Sequence, residues 1–174
     1  VELAQLFARA GVEVTLVSRR GVLPEAEPEV SAALEGYLAD EGIRLVRAKG
    51  YDRISKQGAA IALNLSDDQV LTAERLVLAT GRIPNSDGLN PNIWAAGDVT
   101  GRDQFVYMAA YGAKIAARNA VADETRTYDN ATMPWVVFSD PQVAGVGLSE
   151  AQARAAGLEV VTSILPLDAV PRAL

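Results

Sequence analysis

Three short stretches of the chain carry side chains able to do chemistry on a ligand: Ser18-Arg19-Arg20, Thr80-Gly81-Arg82-Ile83-Pro84-Asn85 and Ile93-Trp94-Ala95-Ala96-Gly97-Asp98. The first places two adjacent guanidiniums directly after the β-branched run Glu13-Val14-Thr15-Leu16-Val17, at the tip of a predicted strand. In a dinucleotide-binding domain an acid at such a tip holds a ribose 2′-hydroxyl, whereas arginine accommodates a 2′-phosphate. No acid stands in this triplet, and a charge-assisted hydrogen bond contributes about 1.5–3 kcal/mol, so the pair favours NADPH over NADH. A pair of solvated loop arginines is the competing reading, and the strand-end position weighs against it. In the third stretch Gly97 permits close backbone approach, and the Asp98 carboxylate can accept hydroxyl protons from a sugar or ribityl chain. Taken alone, Asp98 is more often a turn former, and only its place after a buried strand and before a small-residue helix makes it a flavin contact; Thr80-Gly81 before Ile83-Pro84 reads equally as a domain crossover where glycine allows a sharp turn.

Missing residue types narrow the chemistry further. The 174 residues include no cysteine and no histidine, which excludes a disulfide scaffold, a Cys/His zinc site, a thiol nucleophile and a Ser-His-Asp relay within this sequence. With 16 basic and 22 acidic side chains the net charge is −6, the opposite of the concentrated basic surface that nucleic acid requires. Apolar residues at 49% and charged residues at 22% are globular proportions. No apolar run approaches the roughly 18 residues needed to span a bilayer, and no signal-peptide pattern opens the sequence, so the expectation is a soluble, cytoplasmic chain or a piece of one.

The elements that must position these residues alternate. Leu3, Leu6, Phe7 and Ala10 mark an amphipathic helix over 1–10, stopped by Gly11 and followed by a strand over 12–18. A helix over 29–41 carries Val30, Ala33, Leu34, Tyr37 and Leu38 on one face and closes at Gly42; strands follow near 43–48, 59–65 and 75–80. This is βαβ order, pointing to a doubly wound nucleotide-binding architecture. The glycine-rich phosphate turn that would feed the first helix is not in the sequence. Further on, Asn92–Ala96 reads as a buried strand, and Gly97-Asp98 turns toward a helix from about Gln104 to Ala122. That helix is rich in small residues, which suits either close packing on a sheet or an N-terminus approaching a flat cofactor. Strands at 134–138 and 142–147 flank Asp140-Pro141, Ser149 and Gln152 form a capping box, Gly157 stops the short helix, and Leu158–Leu165 reads as an apolar strand.

VELAQLFARAGVEVTLVSRR, LVLATGRIPN, NIWAAGDVTG and MPWVVFSDPQVAGVGLSEAQA occur in an order that resembles the flavin-dependent pyridine nucleotide-disulfide oxidoreductases, the group that includes glutathione reductase and dihydrolipoamide dehydrogenase. QFVYMAA at 104–110, TMPWVVFSDPQVAGVG at 132–147 and LDAVPRAL at 167–174 are most similar to the branch of that family that reduces mercuric ion. The resemblance implies an α/β fold: a Rossmann-like dinucleotide-binding domain over 1–83, part of an FAD-binding domain over 84–130 and the start of an α+β dimerisation domain over 131–174. It implies FAD and NADPH as cofactors, mercuric ion as substrate and a homodimer in the complete enzyme, with no resident metal on these residues.

Residue by residue, the resemblance aligns Glu2 with an acid that pairs with a lysine near the flavin N5; without the family, a glutamate favoured by the helix dipole would be preferred. Ser18, Arg19 and Arg20 align with the NADPH-phosphate position, Gly81 with the turn of the ATG segment, and Asp98 with a contact to the ribityl or pyrophosphate part of FAD. Gln104, Phe105 and Val106 align with the helix start facing the flavin pyrimidine, where backbone N–H groups and the macrodipole stabilise negative charge. Trp94 and Trp135 read as packing residues. Two departures stand out. The family relays electrons to cysteine pairs, which by the resemblance lie beyond both ends of this sequence, and a strand-bearing stretch is missing between Gly88-Leu89 and Asn90-Pro91. The 174 residues alone are therefore expected to be inactive. A dihydrolipoamide dehydrogenase or other disulfide reductase, and a non-catalytic dinucleotide-binding module, are the alternatives.

Overall fold

The structure is a computed structural model and describes residues 1–88, 93–122, 124–167 and 170. The junction from Leu89 to Asn92 and most of the LDAVPRAL stretch lie outside the described residues. The chain divides into two compact units, one of Val1–Ser55, Ala62–Leu71 and Pro134–Leu174, the other of Lys56–Ile61 and Thr72–Met133.

In the first unit, helix α1 (Glu2–Arg9) carries an acid in its first turn and a base in its last, both favourable to the macrodipole. Gly11 takes the left-handed conformation at φ +84° that reverses the chain toward strand β1 (Thr15–Ser18). Pro28 opens helix α2 (Pro28–Asp40), where its missing N–H costs nothing. Strand β2 (Arg44–Arg47) then returns parallel to β1, in the register Thr15↔Arg44 to Ser18↔Arg47. This β1-α2-β2 crossover closes over Val22, Leu34, Leu38 and Ile43, with Leu34 and Leu38 one helical turn apart and 1% and 0% exposed. Ala4 and Ala8 of α1 pack on that core. The Leu3-Leu6-Phe7 stripe that marks α1 as amphipathic faces outward instead, and Gln5 is buried. Small side chains let the helix axis approach, and the glutamine is tolerated because its amide is fully hydrogen-bonded, as described below.

The same unit contains an antiparallel hairpin of β6 (Pro134–Val137) and β7 (Val143–Val146), in which Trp135 stands opposite Gly145. Helix α4 (Glu150–Ala155) is opened by the expected capping box: Gln152 N–H donates to Ser149 Oγ, and Ser149 N–H donates to Gln152 Oε1. A three-stranded sheet has the order β3 (Tyr51–Gln57), β4 (Ala60–Leu65), β5 (Val70–Ala73), with Ala62 and Leu65 buried. Neither β3 nor β5 is announced by its sequence, because both are largely exposed and lack the alternation that one buried face imposes. In the second unit the long helix α3 runs over Val106–Val121.

Three expected strands do not form. Residues 75–80, 93–96 and 158–165 join no sheet among the described residues. Leu78, Ile93, Trp94, Val161 and Ile164 are exposed, and Trp94 is therefore not the packing residue its type suggests, whereas half-buried Trp135 is. An apolar run becomes a strand only when a neighbour supplies the hydrogen-bond ladder, and periodicity says nothing about whether that neighbour is there. Among the described residues, no helix is long and apolar enough to cross a membrane.

Candidate functional site

In open α/β sheets ligands bind outside the carboxyl ends of the strands, so the ends of parallel β1 and β2 are the place to look in the first unit. Ser18 Oγ donates to the Gly21 carbonyl at 2.7 Å and closes the turn that carries the arginines. Arg19 and Arg20 are both exposed. The Arg19 guanidinium lies over the Tyr51 ring, 5.9 Å from its centroid, and Arg20 pairs with Glu25 at 2.9 Å in a contact open to solvent. Gly21 adopts φ +91°, and a Cβ on it would lie 3.0 Å from Glu35 Oε1 and 3.4 Å from Arg47 Nη2. The turn thus rests on an ion pair: Arg47 Nη2 donates to both Glu35 oxygens, at 2.9 and 2.7 Å, while Val22 N–H donates to Glu35 Oε1 at 3.1 Å. Partial burial pushes the Glu35 carboxyl up, but the Val22 N–H and the Arg47 guanidinium together outweigh it and hold the group below the usual carboxylate range. An open cleft of about 250 Å³ lies here, with Arg20, Pro24, Ser31, Glu35 and Arg47 in its wall. Exposed guanidiniums at a strand tip beside a cleft are a fitting receptor for a phosphate. Glu35 and Arg47 escape a sequence reading, since only the parallel register sets Arg47 beside Ser18.

Glu2 is exposed at the start of α1, and its Oε1 accepts from the Phe138 N–H at 2.7 Å. Glu2, Gln5 and Arg9 share one face of α1 by their three- and four-residue spacing, and all three engage residues 138–140. Gln5 Nε2 donates to the Asp140 carbonyl and to Glu41 Oε1, and Gln5 Oε1 accepts from the Asp140 N–H, each at 2.7 Å. Arg9 donates to Asp140 Oδ2 at 2.8 Å and grips both Glu41 oxygens, at 2.9 and 2.6 Å. Its hydrogen bonds, to Glu41 first and Asp140 second, raise the guanidinium pKa, and Arg9 in turn holds Glu41 below the ordinary carboxylate range.

The second unit holds the remaining candidates. Gly81 is exposed at φ +97° with open space around it, so backbone conformation rather than crowding is what glycine supplies there. Asp98 is exposed and opens a single 3-10 turn, Asp98–Thr100, after Gly97 at φ +81°. A Cβ on Gly97 would meet the Ala109 Cβ at 3.3 Å, so the turn packs against the small-residue face of α3. Gln104 and Val106 are exposed, and Phe105 occupies the N-cap position without any side-chain acceptor to offer the helix. The entry to α3 is held from outside the helix. Asp103, at φ +39°, accepts from the Tyr128 hydroxyl at 3.0 Å and from Asn130 Nδ2 at 2.9 Å. Burial, followed by the Asp103 carboxylate, raises the Tyr128 hydroxyl above its ordinary pKa. The Tyr128 ring lies 3.4 Å from where a Cβ on Gly112 would be and 5.4 Å from the Tyr111 ring centroid. The Asp103-Tyr128-Asn130 cluster carries no sequence signal, because its members lie 25 and 27 residues apart.

Residues 1–90 match the profile of pyridine nucleotide-disulphide oxidoreductase, and residues 133–174 match the profile of its dimerisation domain. The chain is 39% identical over 202 aligned positions to a mercuric reductase of Bacillus cereus, covering 100% of this chain and 32% of that protein. It is 38% identical to a mercuric reductase of Staphylococcus aureus, covering 99% of this chain and 37% of that protein. The chain thus spans about a third of the length of these curated relatives. Among solved structures, the HOCl-induced flavoprotein disulfide reductase RclA of Escherichia coli superposes with a TM-score of 0.81 at 27% identity, covering 98% of this chain and 45% of that one.

Proposed function

The chain belongs to the pyridine nucleotide-disulphide oxidoreductase family, and from that premise we propose that the complete protein is an NADPH-dependent, FAD-containing mercuric reductase of the cytoplasm. The net reaction transfers two electrons from NADPH to Hg(II), giving Hg(0), NADP⁺ and a proton. The observation that carries the substrate is the 38–39% identity to mercuric reductases along essentially the whole chain. In this proposal residues 1–83 form the dinucleotide-binding domain, 84–130 part of the flavin domain and 131–174 the start of a dimerisation domain that makes a homodimer.

Arg19 and Arg20 bind the 2′-phosphate of NADPH, and Ser18 holds the turn that presents them through its bond to Gly21. The Asp98 carboxylate, exposed at its turn, fits a ribityl hydroxyl donor, and the start of α3 at Gln104, Phe105 and Val106 faces an electron-rich ring edge with the Gln104 and Val106 backbone N–H groups, the Phe105 N–H being donated to the Asp103 carbonyl. Gly81, at φ +97°, supplies the turn of the Ala79-Thr80-Gly81 segment. Glu2, held by the Phe138 N–H, provides a fixed negative charge in support. Bound FAD supplies the two-electron relay between nicotinamide and thiols. Mercuric ion is soft and requires sulfur ligands, and the 174 residues include none as thiol, so the thiolates belong to other parts of the protein.

The test is anaerobic turnover by the purified full-length protein. NADPH oxidation matched by release of mercury vapour is the expected result, with NADH a poorer donor by at least about tenfold. A second reading, a disulfide reductase of the same family, is favoured by the likeness to RclA. Reduction of a small disulfide such as lipoamide with no reduction of Hg(II) selects it. A reading frame with a Cys-x4-Cys pair upstream and a vicinal cysteine pair near the C-terminus supports the first reading.

A further inference from the structure

We infer that Arg47 is a third cation of the 2′-phosphate site and helps set the preference for a phosphorylated over an unphosphorylated adenosine ribose. The inference rests on the proposal that Arg19 and Arg20 receive that phosphate, and it adds a residue from a different strand. Parallel pairing sets Arg47 opposite Ser18, and the Ala48 N–H donates to the Ser18 carbonyl at 3.0 Å, so the carboxyl ends of β1 and β2 finish level. Arg47 and Arg20 line the same cleft of about 250 Å³. The Arg47 side chain is 69% exposed, and both of its bonds to Glu35 leave from the single nitrogen Nη2. Nε and Nη1 therefore keep their donors for a second acceptor, and a phosphate dianion takes several such bonds from a planar fork.

The counter-ions decide which cations a phosphate can displace and which it must share. Glu35 holds Arg47, and Glu25 meets Arg20, so two of the three cations have carboxylate counter-ions. The Arg20–Glu25 contact is solvent-exposed on both sides and easily exchanged for a phosphate. Glu35 is better retained: the Val22 N–H fixes it, and its hold on Arg47 keeps the guanidinium against the Gly21 turn, where no side chain stands between them. A ligand lacking the 2′-phosphate gains nothing from Arg47.

The experiment compares adenosine 2′,5′-bisphosphate with adenosine 5′-monophosphate as ligands of the full-length protein, by calorimetric titration and as competitors of NADPH. Arg47→Ala is expected to weaken the bisphosphate about tenfold or more and leave the monophosphate within about twofold, with KM for NADPH raised and kcat held. Arg47→Lys is expected to recover part of the loss, since it restores charge without the fork. Arg44→Ala, at the opposite end of β2, is expected to change neither ligand. If Arg47→Ala leaves the ratio of the two affinities intact while Arg20→Ala collapses it, the role of Arg47 is overturned and that of the arginine pair stands. If neither changes it, the phosphate site itself is misassigned and the inference falls with it. An effect of Arg44→Ala as large as that of Arg47→Ala reduces the matter to bulk charge and overturns the inference.

Discussion

The side-chain amide of Gln5 pairs with both backbone groups of Asp140, donating to the carbonyl and accepting from the N–H, each at 2.7 Å. A glutamine in the middle of α1 thus acts as a piece of backbone, closing a loop 135 residues away in the sequence. Gln5→Ala removes the side-chain partner of both backbone groups of Asp140 and is expected to destabilise the full-length protein by about 1–3 kcal/mol, because each lost hydrogen bond contributes about 0.5–1.5 kcal/mol. Urea midpoints measure it. A loss no larger than that of Leu3→Ala, at an exposed position on the same helix, would show that the pairing contributes nothing.

Gly145→Ala is expected to disturb the β6-β7 hairpin. An added Cβ would lie 2.6 Å from Trp135 Cζ2 and 2.8 Å from its Nε1, so the indole must move. Overpacking of this kind costs about 1–3 kcal/mol. In a Trp94→Phe background, which leaves Trp135 as the sole tryptophan of these 174 residues, its emission spectrum should shift toward the solvated value. An unchanged spectrum and unchanged stability argue that the hairpin has room to spare.

Acid titration should reveal the Arg9 bracket. The folded protein holds Glu41 below its ordinary carboxylate range through Arg9, so this contact stabilises the fold above that range and the contribution disappears as pH falls through the lowered value. Glu41→Gln is therefore expected to be less stable than the parent at about pH 7, and the gap is expected to close as pH falls below the ordinary carboxylate range. Denaturant midpoints across that interval decide it, and a constant gap means that Glu41 acts through packing rather than charge.

Tyr128→Phe removes the hydroxyl bond to Asp103 but keeps the ring on Gly112 and Tyr111. A stability loss of about 1–2 kcal/mol is expected for the lost bond to a charged acceptor. Because that bond helps hold the entry to α3, flavin affinity should fall with it. Full-length protein that retains bound flavin after dilution as well as the parent does would separate Asp103 from the cofactor.

Much of the frame was legible in advance, for reasons specific to particular residues. Gly11 and Gly42 punctuate α1 and α2 because their backbone preferences act locally, and Ser149 with Gln152 announces α4 through a bond spanning three residues. The run ending at Ser18 exposed the arginine pair because a strand tip is a local event. Leu158–Leu165 and residues 75–80 misled for the converse reason: apolar content resembles a strand whether or not a partner lies alongside.

From the order of residues alone came the βαβ alternation, the two guanidiniums at a strand tip, the glycine-aspartate turn before a helix of small residues, and the absence of any thiol or imidazole. Only the tertiary structure set Arg47 level with Ser18, turned Gln5 rather than Leu6 inward, and fastened Asp103 to Tyr128 and Asn130. The difference is one of range. Backbone preference and periodicity act over a few neighbouring residues, whereas register, burial and hydrogen-bond partners depend on chain segments that the sequence keeps far apart.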